Sequence, residues 1–273
     1  MRKELKIEGR RVSYLERMAS DARQTLVLLH AFPLHAEMWA SQFAALPPDW
    51  RLIAPDFRGF GQSDGDRGDL SSADLSLEDY ARDVLGLLDQ LDVRAPVVAG
   101  LSLGGYVTFA MLRIAPPDAI RGLVLADTRP QADTEEGRAG RRRMIDLVGR
   151  EGAAGIATEM MSKLIADQTR ENHPAVADFV RNMILTAPPP AIAAALYRMM
   201  ARPDSTGELA RIACPTLVIV GERDALTPPD LSRDMQKRIV GARLEVVPSA
   251  GHLANLEQPD AFNTAVAAFL KTA

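Results

Sequence analysis

Short apolar runs alternate with longer amphipathic stretches along most of this chain of 273 residues. The runs consist mainly of valine, leucine and isoleucine, which is typical of strands buried on both faces of a parallel sheet. Strands separated by stretches of helix length indicate βαβ units. The sequence therefore predicts an α/β fold with a mostly parallel central sheet and helices on both faces. The predicted strands are Thr25–His30, Arg51–Pro55, Pro96–Gly100, Gly122–Ala126, Thr216–Gly221 and Arg243–Val247.

Three stretches have the spacing of helices that cover such a sheet. In Leu77–Leu91 the apolar residues recur on one side, and Ser76 is suited to the N-cap position. Helices are also predicted over Tyr106–Ala115 and Asp260–Leu270. Residues 5–15 have the pattern of a hairpin, which would give the sheet an antiparallel edge.

Residues 129–207 contain no convincing strand and are rich in alanine, methionine and arginine. This pattern predicts a helical cap inserted into a core made of residues 1–128 and 208–273. Six of the 11 methionines fall in the insertion. They can be ordinary helix packing, or an adaptable apolar roof over a site, since methionine side chains fit irregular ligands. On the second interpretation the candidate pocket residues are Met160, Met161 and Met199.

Composition and charge argue against several classes of protein. The formal net charge is −4, and the densest basic run, Arg138–Arg143, lies beside Glu135 and Glu136. That arrangement is typical of a solvated helix face, so no nucleic-acid partner is expected. The single cysteine, Cys214, precedes a proline and an apolar run, which favours a packed thiol over a reactive one.

No metal and no membrane partner are predicted. No two histidines share a zinc-ligand spacing with the cysteine. No apolar segment follows the basic N-terminus as in a signal peptide, and no apolar run approaches the ~18 residues of a membrane span. A cytoplasmic location is therefore expected.

Gly100-Leu101-Ser102-Leu103-Gly104 matches the G-x-S-x-G pattern of a nucleophile elbow. The pattern alone is weak, but here it follows a predicted strand and precedes a helical stretch, as an elbow requires. The sharp turn would point Ser102 Oγ into the open, at a helix N-terminus whose N–H groups favour negative charge. Ser102 is therefore the predicted nucleophile.

A serine nucleophile needs a general base and an orienting carboxylate. His252 stands in a small-residue loop after the last predicted strand, and Asp224 follows the strand before it. The chain order Ser102, Asp224, His252 is that of the α/β-hydrolase triad. Asp127, at the end of an earlier strand, is the rival acid, but it opens the helical insertion and is less favoured.

The loop after the first long predicted strand, His30-Ala31-Phe32-Pro33, is expected to complete an oxyanion hole. The predicted donors are the backbone N–H groups of Phe32 and Leu103. His30 is interpreted as a residue that braces this loop rather than a second base, and it is also a candidate pocket residue. Asp56 and Arg58 follow the next strand and are interpreted as braces of a glycine-rich loop.

Five motifs in order resemble the α/β-hydrolase superfamily: HAFP at 30–33, DFRGFGQSD at 56–64, GLSLGG at 100–105, GERD at 221–224 and SAGHLANLEQP at 249–259. The chain is most similar to the group of 3-oxoadipate enol-lactonases, carrier-protein methyl esterases and aryl esterases. The resemblance covers the chain outside the insertion, which corresponds to the family's helical cap. It implies a cofactor-free, two-step acyl transfer through Ser102, His252 and Asp224.

The motifs specify the superfamily better than the substrate. Small to medium uncharged or weakly polar esters or lactones are expected, because the cap residues expected to face inward are apolar. An inward cap arginine would instead favour a substrate with a distal carboxylate. The alternatives are a carbon–carbon bond hydrolase or a cofactor-free perhydrolase or haloperoxidase, and least of all a non-catalytic binder. No feature of the sequence indicates an oligomeric state. The cap arginines considered are Arg138, Arg141, Arg142, Arg143, Arg181, Arg198 and Arg202.

Overall fold

The computed structural model describes residues 1–19, 24–66 and 72–273. Its centre is an eight-stranded sheet in the order β1-β2-β4-β3-β5-β6-β7-β8. Strands β3 to β8 pair in parallel, and the β1–β2 hairpin joins β4 antiparallel. The predicted fold class is confirmed. The strands are β1 Arg2–Ile7, β2 Arg10–Arg17, β3 Thr25–Leu29, β4 Arg51–Pro55, β5 Val97–Leu101, β6 Gly122–Ala126, β7 Thr216–Gly221 and β8 Arg243–Val247.

Burial on both faces explains the four central apolar strands but not the last one. Strands β3, β5, β6 and β7 are buried at every position. Strand β8 alternates between exposed and half-buried residues and is fully buried only at Val247. The expectation of burial on both faces is therefore wrong for β8, because this strand forms the outer edge of the sheet.

The helices of the described residues include the three that the sequence predicts. The helices are α1 Ala40–Ala45, α2 Leu77–Gln90, α3 Leu103–Ile114, α4 Glu135–Leu164, α5 Asp167–Asn172, α6 Pro174–Thr186, α7 Pro189–Ala201, α8 Pro229–Arg238, α9 Ala254–Glu257 and α10 Pro259–Leu270. Helix α2 begins with a capping box between Ser76 and Asp79. Helix α3 begins at Leu103 rather than at the predicted Tyr106, because Gly104 and Gly105 belong to its first turn. No helix among the described residues is both long and apolar enough to cross a membrane.

Four helices, α4 to α7, lie between β6 and β7, and we call them the cap helices. Helix α4 is broken at Gly152, whose φ of 63° and ψ of −156° are not helical, and it packs against α6 and α7. The buried side chains of the cap helices, including Ile156 and Leu196, join the same hydrophobic cluster as the sheet. The cap helices are therefore packed onto the sheet layers by continuous apolar contact.

An ion-pair network also ties the cap helices to the core. Arg198 on α7 is completely buried, and its guanidinium binds the Asp66 carboxylate with both Nη atoms, at 2.9 and 2.6 Å. It also donates to Asp79 at 3.1 Å and lies 4.6 Å above the centre of the Tyr80 ring. Breaking such a buried pair is costly, because the remaining charge stays unpaired. Arg198 therefore holds α7 against α2 and the loop after β4.

Parallel pairing determines where the candidate site lies. Carboxyl ends of parallel strands meet at one edge of a sheet, and the turns after β5, β6, β7 and β8 follow one another along that edge. These turns contain Ser102, Asp127, Asp224 and His252. The sheet thus brings the predicted nucleophile, base and both rival acids to the same place.

Candidate active site

Ser102 lies in a strained turn between β5 and α3. Its φ of 54° and ψ of −110° are unusual for a residue with a side chain, and its N–H donates to Ala126 O at 2.9 Å. A Cβ on Gly100 would lie 2.4 Å from the Gly104 oxygen, and one on Gly104 would lie 2.2 Å from the Leu29 oxygen. Only glycine fits at these two positions, so the turn needs both glycines of the motif.

The side chains of Ser102, His252 and Asp224 form one hydrogen-bonded line. His252 Nε2 lies 2.8 Å from Ser102 Oγ, and His252 Nδ1 lies 2.9 Å from Asp224 Oδ2. The imidazole and the Asp224 carboxylate are both almost completely buried. With Nδ1–H donating to the carboxylate, Nε2 is left to accept the hydroxyl proton. This geometry can activate a serine hydroxyl as a nucleophile.

Asp224 is held in its ionised form by several donors. Its Oδ1 accepts from the N–H groups of Leu226 and Thr227 at 2.8 and 2.9 Å, and its Oδ2 accepts from Thr227 Oγ1 at 2.6 Å. Burial alone would raise the pKa of Asp224, but the charge of His252 and the hydrogen bonds from His252 and Thr227 outweigh it. The pKa of Asp224 is lowered to about 2.

Asp127, the rival acid, lies nearby in a different state. It is completely buried, and its Oδ1 accepts from the Gly221 N–H at 2.8 Å. Burial and the negative charge of Asp224 raise the pKa of Asp127 well above its usual range. The His252 imidazole pairs with Asp224, so geometry and charge both favour Asp224 as the orienting carboxylate.

The predicted oxyanion loop lies at the end of β3 beside the elbow. Leu103 is the first residue of α3, so its N–H has no acceptor within the helix. Two hydrogen bonds hold the loop on either side of Phe32. The Ala31 N–H donates to Met38 Sδ at 3.2 Å, and the Leu34 N–H donates to Ala31 O at 2.9 Å. An N–H group at a helix start is suited to a developing negative charge.

His30 is enclosed by the protein. Its Nδ1 lies 2.9 Å from Ala31 O, and its Nε2 accepts the Phe57 N–H at 3.0 Å. Its ring also packs against those of Phe57 and Phe60. Burial lowers the pKa of His30 to about 4, so the ring is neutral near pH 7. Both ring nitrogens are occupied, which suits a brace and leaves neither nitrogen for a substrate.

Most of the chain also matches a known protein family. Residues 26–265 match the alpha/beta hydrolase family. The chain belongs to this family.

Relatives of this hydrolase include enzymes of more than one specificity. It is 29% identical over 235 residues to 3-oxoadipate enol-lactonase 1 of Acinetobacter baylyi, covering 86% of this chain and 84% of that one. A thermophilic esterase from Thermogutta terrifontis has a TM-score of 0.90 and 38% identity, over 99% of this chain and 98% of that one. The enol-lactonase from Burkholderia xenovorans has a TM-score of 0.88 and 27% identity, over 98% of this chain and all (100%) of that one. These similarities agree on the fold of a hydrolase, but the names of the relatives do not point to a single substrate.

Asp56 and Arg58 both brace the hydrolase core, but with different partners. Asp56 accepts hydrogen bonds from the backbone N–H groups of Ala36 and Gln62, at 2.8 and 3.1 Å. Arg58 instead donates to Asp83 on α2, at 2.5 and 3.1 Å. The loop after β4 is thus fastened at two separate points.

The cap methionines are buried in the described structure to different degrees. Met160 and Met199 are buried, and Met161 is half-buried. The Met199 sulfur accepts a 3.4 Å hydrogen bond from Arg141 Nη1, so it is already occupied. The pocket role of these residues remains a prediction.

Two buried cap arginines, Arg198 and Arg202, and the half-buried Arg141 already have carboxylate partners. Arg141 and Arg202 both pair with Asp133, and Arg198 pairs with Asp66. Burial would raise the pKa of Asp133, but the two guanidinium groups lower it to about 2. The surface arginines Arg138 and Arg142 pair with Glu135, while Arg143 and Arg181 are exposed. Arg141, Arg198 and Arg202 therefore serve structural ion pairs.

Sequence reasoning missed two residues that contact the triad region. Thr227 donates to Asp224, as described above, and Glu257 accepts from Gly251 N–H at 2.9 Å. Glu257 belongs to the quoted motif at 249–259, but it was given no role. The signal that could have found it is an acidic residue only five positions after the predicted base.

Cys214 lies away from this site. It is half-buried and borders a groove of about 810 Å³ at the amino ends of β6 and β7, the opposite edge of the sheet. Burial raises the pKa of its thiol, which disfavours the reactive thiolate. Among the described residues, no group of three or more His, Cys, Asp or Glu could hold a metal ion.

The raised pKa of Asp127 predicts a pH-dependent effect of Asp127→Asn. In the folded protein this group keeps its proton at pH values where the unfolded chain, with a pKa near 3.8, has lost it. The contribution of Asp127 to folding stability is therefore fully present below a pH of about 3.8, the pKa in the unfolded chain. It is lost as the pH rises toward the higher pKa in the folded protein. Asparagine does not titrate. The melting temperature of the variant relative to wild type should thus increase as the pH is raised from about 4 upward.

Thermal unfolding of both proteins across this pH range measures the effect. Asp146→Asn is the matched control, because Asp146 is exposed on α4 and the substitution makes the same change from carboxylate to amide outside the site. A constant or falling difference for Asp127→Asn would contradict the prediction.

Proposed function

We propose that this chain is a serine hydrolase that cleaves small to medium carboxylic esters or lactones through an acyl-enzyme. The observation that carries the proposal is the hydrogen-bonded line from Ser102 Oγ through His252 to Asp224, at 2.8 and 2.9 Å. Ser102 stands at the end of β5, at the start of a helix and in a turn with positive φ. Family membership and relatives named as esterases and lactonases support the same reaction class.

In the proposed reaction, Ser102 Oγ bonds to the ester carbonyl carbon while His252 Nε2 takes the hydroxyl proton. The carbonyl electrons move to oxygen, where the N–H groups of Phe32 and Leu103 would stabilise the anion. When the carbonyl re-forms, the bond to the leaving oxygen breaks and His252 protonates that oxygen. A water molecule then repeats the sequence on the acyl-enzyme and releases the acid. Asp224 stabilises the imidazolium formed in each step.

The substrate proposal is for uncharged or weakly polar acyl groups. The cap helices carry apolar side chains such as Met160 and Met161, and Arg141, Arg198 and Arg202 are each paired with an aspartate. An apolar pocket desolvates alkyl and aryl groups at little cost. It also separates chain lengths weakly, by about 1–3 kcal/mol per methylene. Specificity should therefore be broad and graded.

Ser102→Ala should abolish ester hydrolysis without unfolding the protein. Alanine removes only the nucleophilic oxygen, and the turn already accommodates a Cβ at this position. A fluorophosphonate probe should label the wild-type protein and not the variant, while circular dichroism of the two should agree. Full activity or labelling of the alanine variant would contradict the proposed nucleophile.

Asp224→Asn should lower kcat by about 10⁴-fold, because an amide in place of the carboxylate favours the wrong imidazole tautomer. Asp127→Asn should leave kcat within about tenfold of wild type, because the amide oxygen can still accept from Gly221. Steady-state kinetics of both variants with one p-nitrophenyl ester tests the assignment. A larger loss in Asp127→Asn would assign the orienting role to Asp127.

Turnover of p-nitrophenyl acetate, butyrate, octanoate and palmitate should be highest for the short acyl chains. A maximum of kcat/KM at palmitate would refute this expectation. An anionic lactone and a carrier-protein methyl ester extend the panel, and rapid turnover of the lactone alone would favour a substrate carboxylate. A vinylogous 1,5-diketone and a peroxide-dependent halogenation assay separate the proposal from carbon–carbon bond hydrolysis and haloperoxidase activity.

A further inference from the structure

Glu257 is a buried acidic residue with no part in the reaction just proposed. It ends helix α9, and its side chain is nearly inaccessible to solvent. Four donors converge on its two oxygens, which requires a group that only accepts hydrogen bonds. The two oxygens of the Glu257 side chain supply these acceptors.

The four donors come from two different parts of the fold. On one side, Oε1 accepts from the N–H groups of Gly251 and Leu253, at 2.9 and 3.3 Å. These residues flank His252 in the loop between β8 and α9, residues 248–253, which we call the histidine loop. One oxygen of Glu257 thus holds the backbone immediately before and after the proposed base.

On the other side, Oε2 binds the start of the cap helix α5. It accepts from the Ala166 N–H at 2.9 Å and from Thr169 Oγ1 at 2.8 Å. We call residues 165–169 the cap junction. The same carboxylate therefore fastens the histidine loop to the cap junction.

The two parts are also in direct contact, with no room between them. A Cβ on Gly251 would lie 2.6 Å from Ala166 N, 2.9 Å from Glu257 Oε1 and 3.2 Å from the carbonyl carbon of Ile165. Behind the loop, Arg223 N–H donates to Ala250 O at 2.8 Å. The histidine loop is thus held between β7 and the cap junction, and Glu257 supplies the acceptor on the cap side.

From these contacts we infer that Glu257 is a positioning residue for His252. It orients the imidazole by holding the backbone on both sides of it, with the cap junction as its anchor. Displacement of a catalytic group by about 1 Å can cost about 100-fold in rate. The inference rests on the proposed hydrolase function, in which His252 transfers the proton.

The test compares two variants of nearly equal volume that differ in their acceptors. Glu257→Gln keeps one acceptor oxygen, which can face the two N–H groups of the histidine loop, whereas Glu257→Met keeps none. With p-nitrophenyl acetate, kcat should fall by about 100-fold in Glu257→Met while KM stays within about threefold. Glu257→Gln should recover at least about tenfold of the lost kcat.

Thr169→Val is the control on the cap side. It removes one donor to the same carboxylate and leaves both contacts to the histidine loop, so its kcat should stay within about threefold of wild type. Melting temperatures are measured for all variants, because the loss of a buried hydrogen bond lowers stability in each. Equal kcat in Glu257→Met and Glu257→Gln would overturn the inference, and so would a loss in Thr169→Val as large as that in Glu257→Met.

If Glu257→Met does not fold, Glu257→Asp takes its place. Its shortened carboxylate cannot reach both the histidine loop and the cap junction, so kcat should fall with little change in KM, and an unchanged kcat would overturn the inference. The wild-type protein provides the separate check on function. No ester turnover and no fluorophosphonate labelling of wild type would contradict the proposed hydrolase, whereas an active wild type without the variant pattern contradicts only the role of Glu257.

Discussion

The parallel pairing of β5, β6, β7 and β8 is the constraint on which the candidate site depends. Ser102 and His252 are 150 residues apart in the chain, yet Ser102 Oγ lies 2.8 Å from the imidazole. Paired positions such as Leu101 with Ala126, and Gly221 with Val247, bring the strand ends level. Because β5 to β7 are buried at every position, a slipped register would disrupt close packing on both faces of the sheet.

Three buried acidic side chains, Asp224, Asp127 and Glu257, lie in this part of the fold, and each has different partners. Asp224 receives donors from backbone and side chain, and its pKa falls to about 2. Asp127 is buried beside that negative charge, and its pKa rises well above the usual range. Glu257 receives four donors and faces the backbone of the histidine loop rather than the ring. Asp224 thus receives the several donors that a buried charge needs, whereas Asp127 receives only the Gly221 N–H among the hydrogen bonds described above.

The sequence predicts most of the sheet and the line of Ser102, His252 and Asp224 because these features are local. A strand is a run of apolar residues, and each of the three side chains stands in the turn directly after such a run. The partners of Arg58 and Arg198 are not local. Arg58 binds Asp83 on α2, and Arg198 binds Asp66 from 132 positions away in the chain. The spacing of residues along the chain does not show such long-range contacts, because they form only when the helices pack on the sheet.

Glu257 shows the same limit at the site itself. Its distance from His252 in the chain is short, so the motif places it near the base, but two of its four donors come from the cap. Their positions depend on where α4 ends and α5 begins, 88 to 91 residues earlier in the chain. The role of an acidic residue after the base therefore becomes visible only once the cap is packed against the histidine loop.

The ion pairs of the cap also bear on how specificity can arise in this fold. Arg198 fastens α7 to the core, and Arg141 and Arg202 are both bound to Asp133. Using one of these guanidinium groups for a substrate carboxylate would leave Asp66 or the buried Asp133 with fewer partners, which is costly. The shape and volume of the apolar side chains of the cap can therefore determine substrate specificity more easily than the charge of its arginines can. Because the cap junction and the histidine loop share Glu257, a change of cap shape that moved α4 would also reach the proposed base.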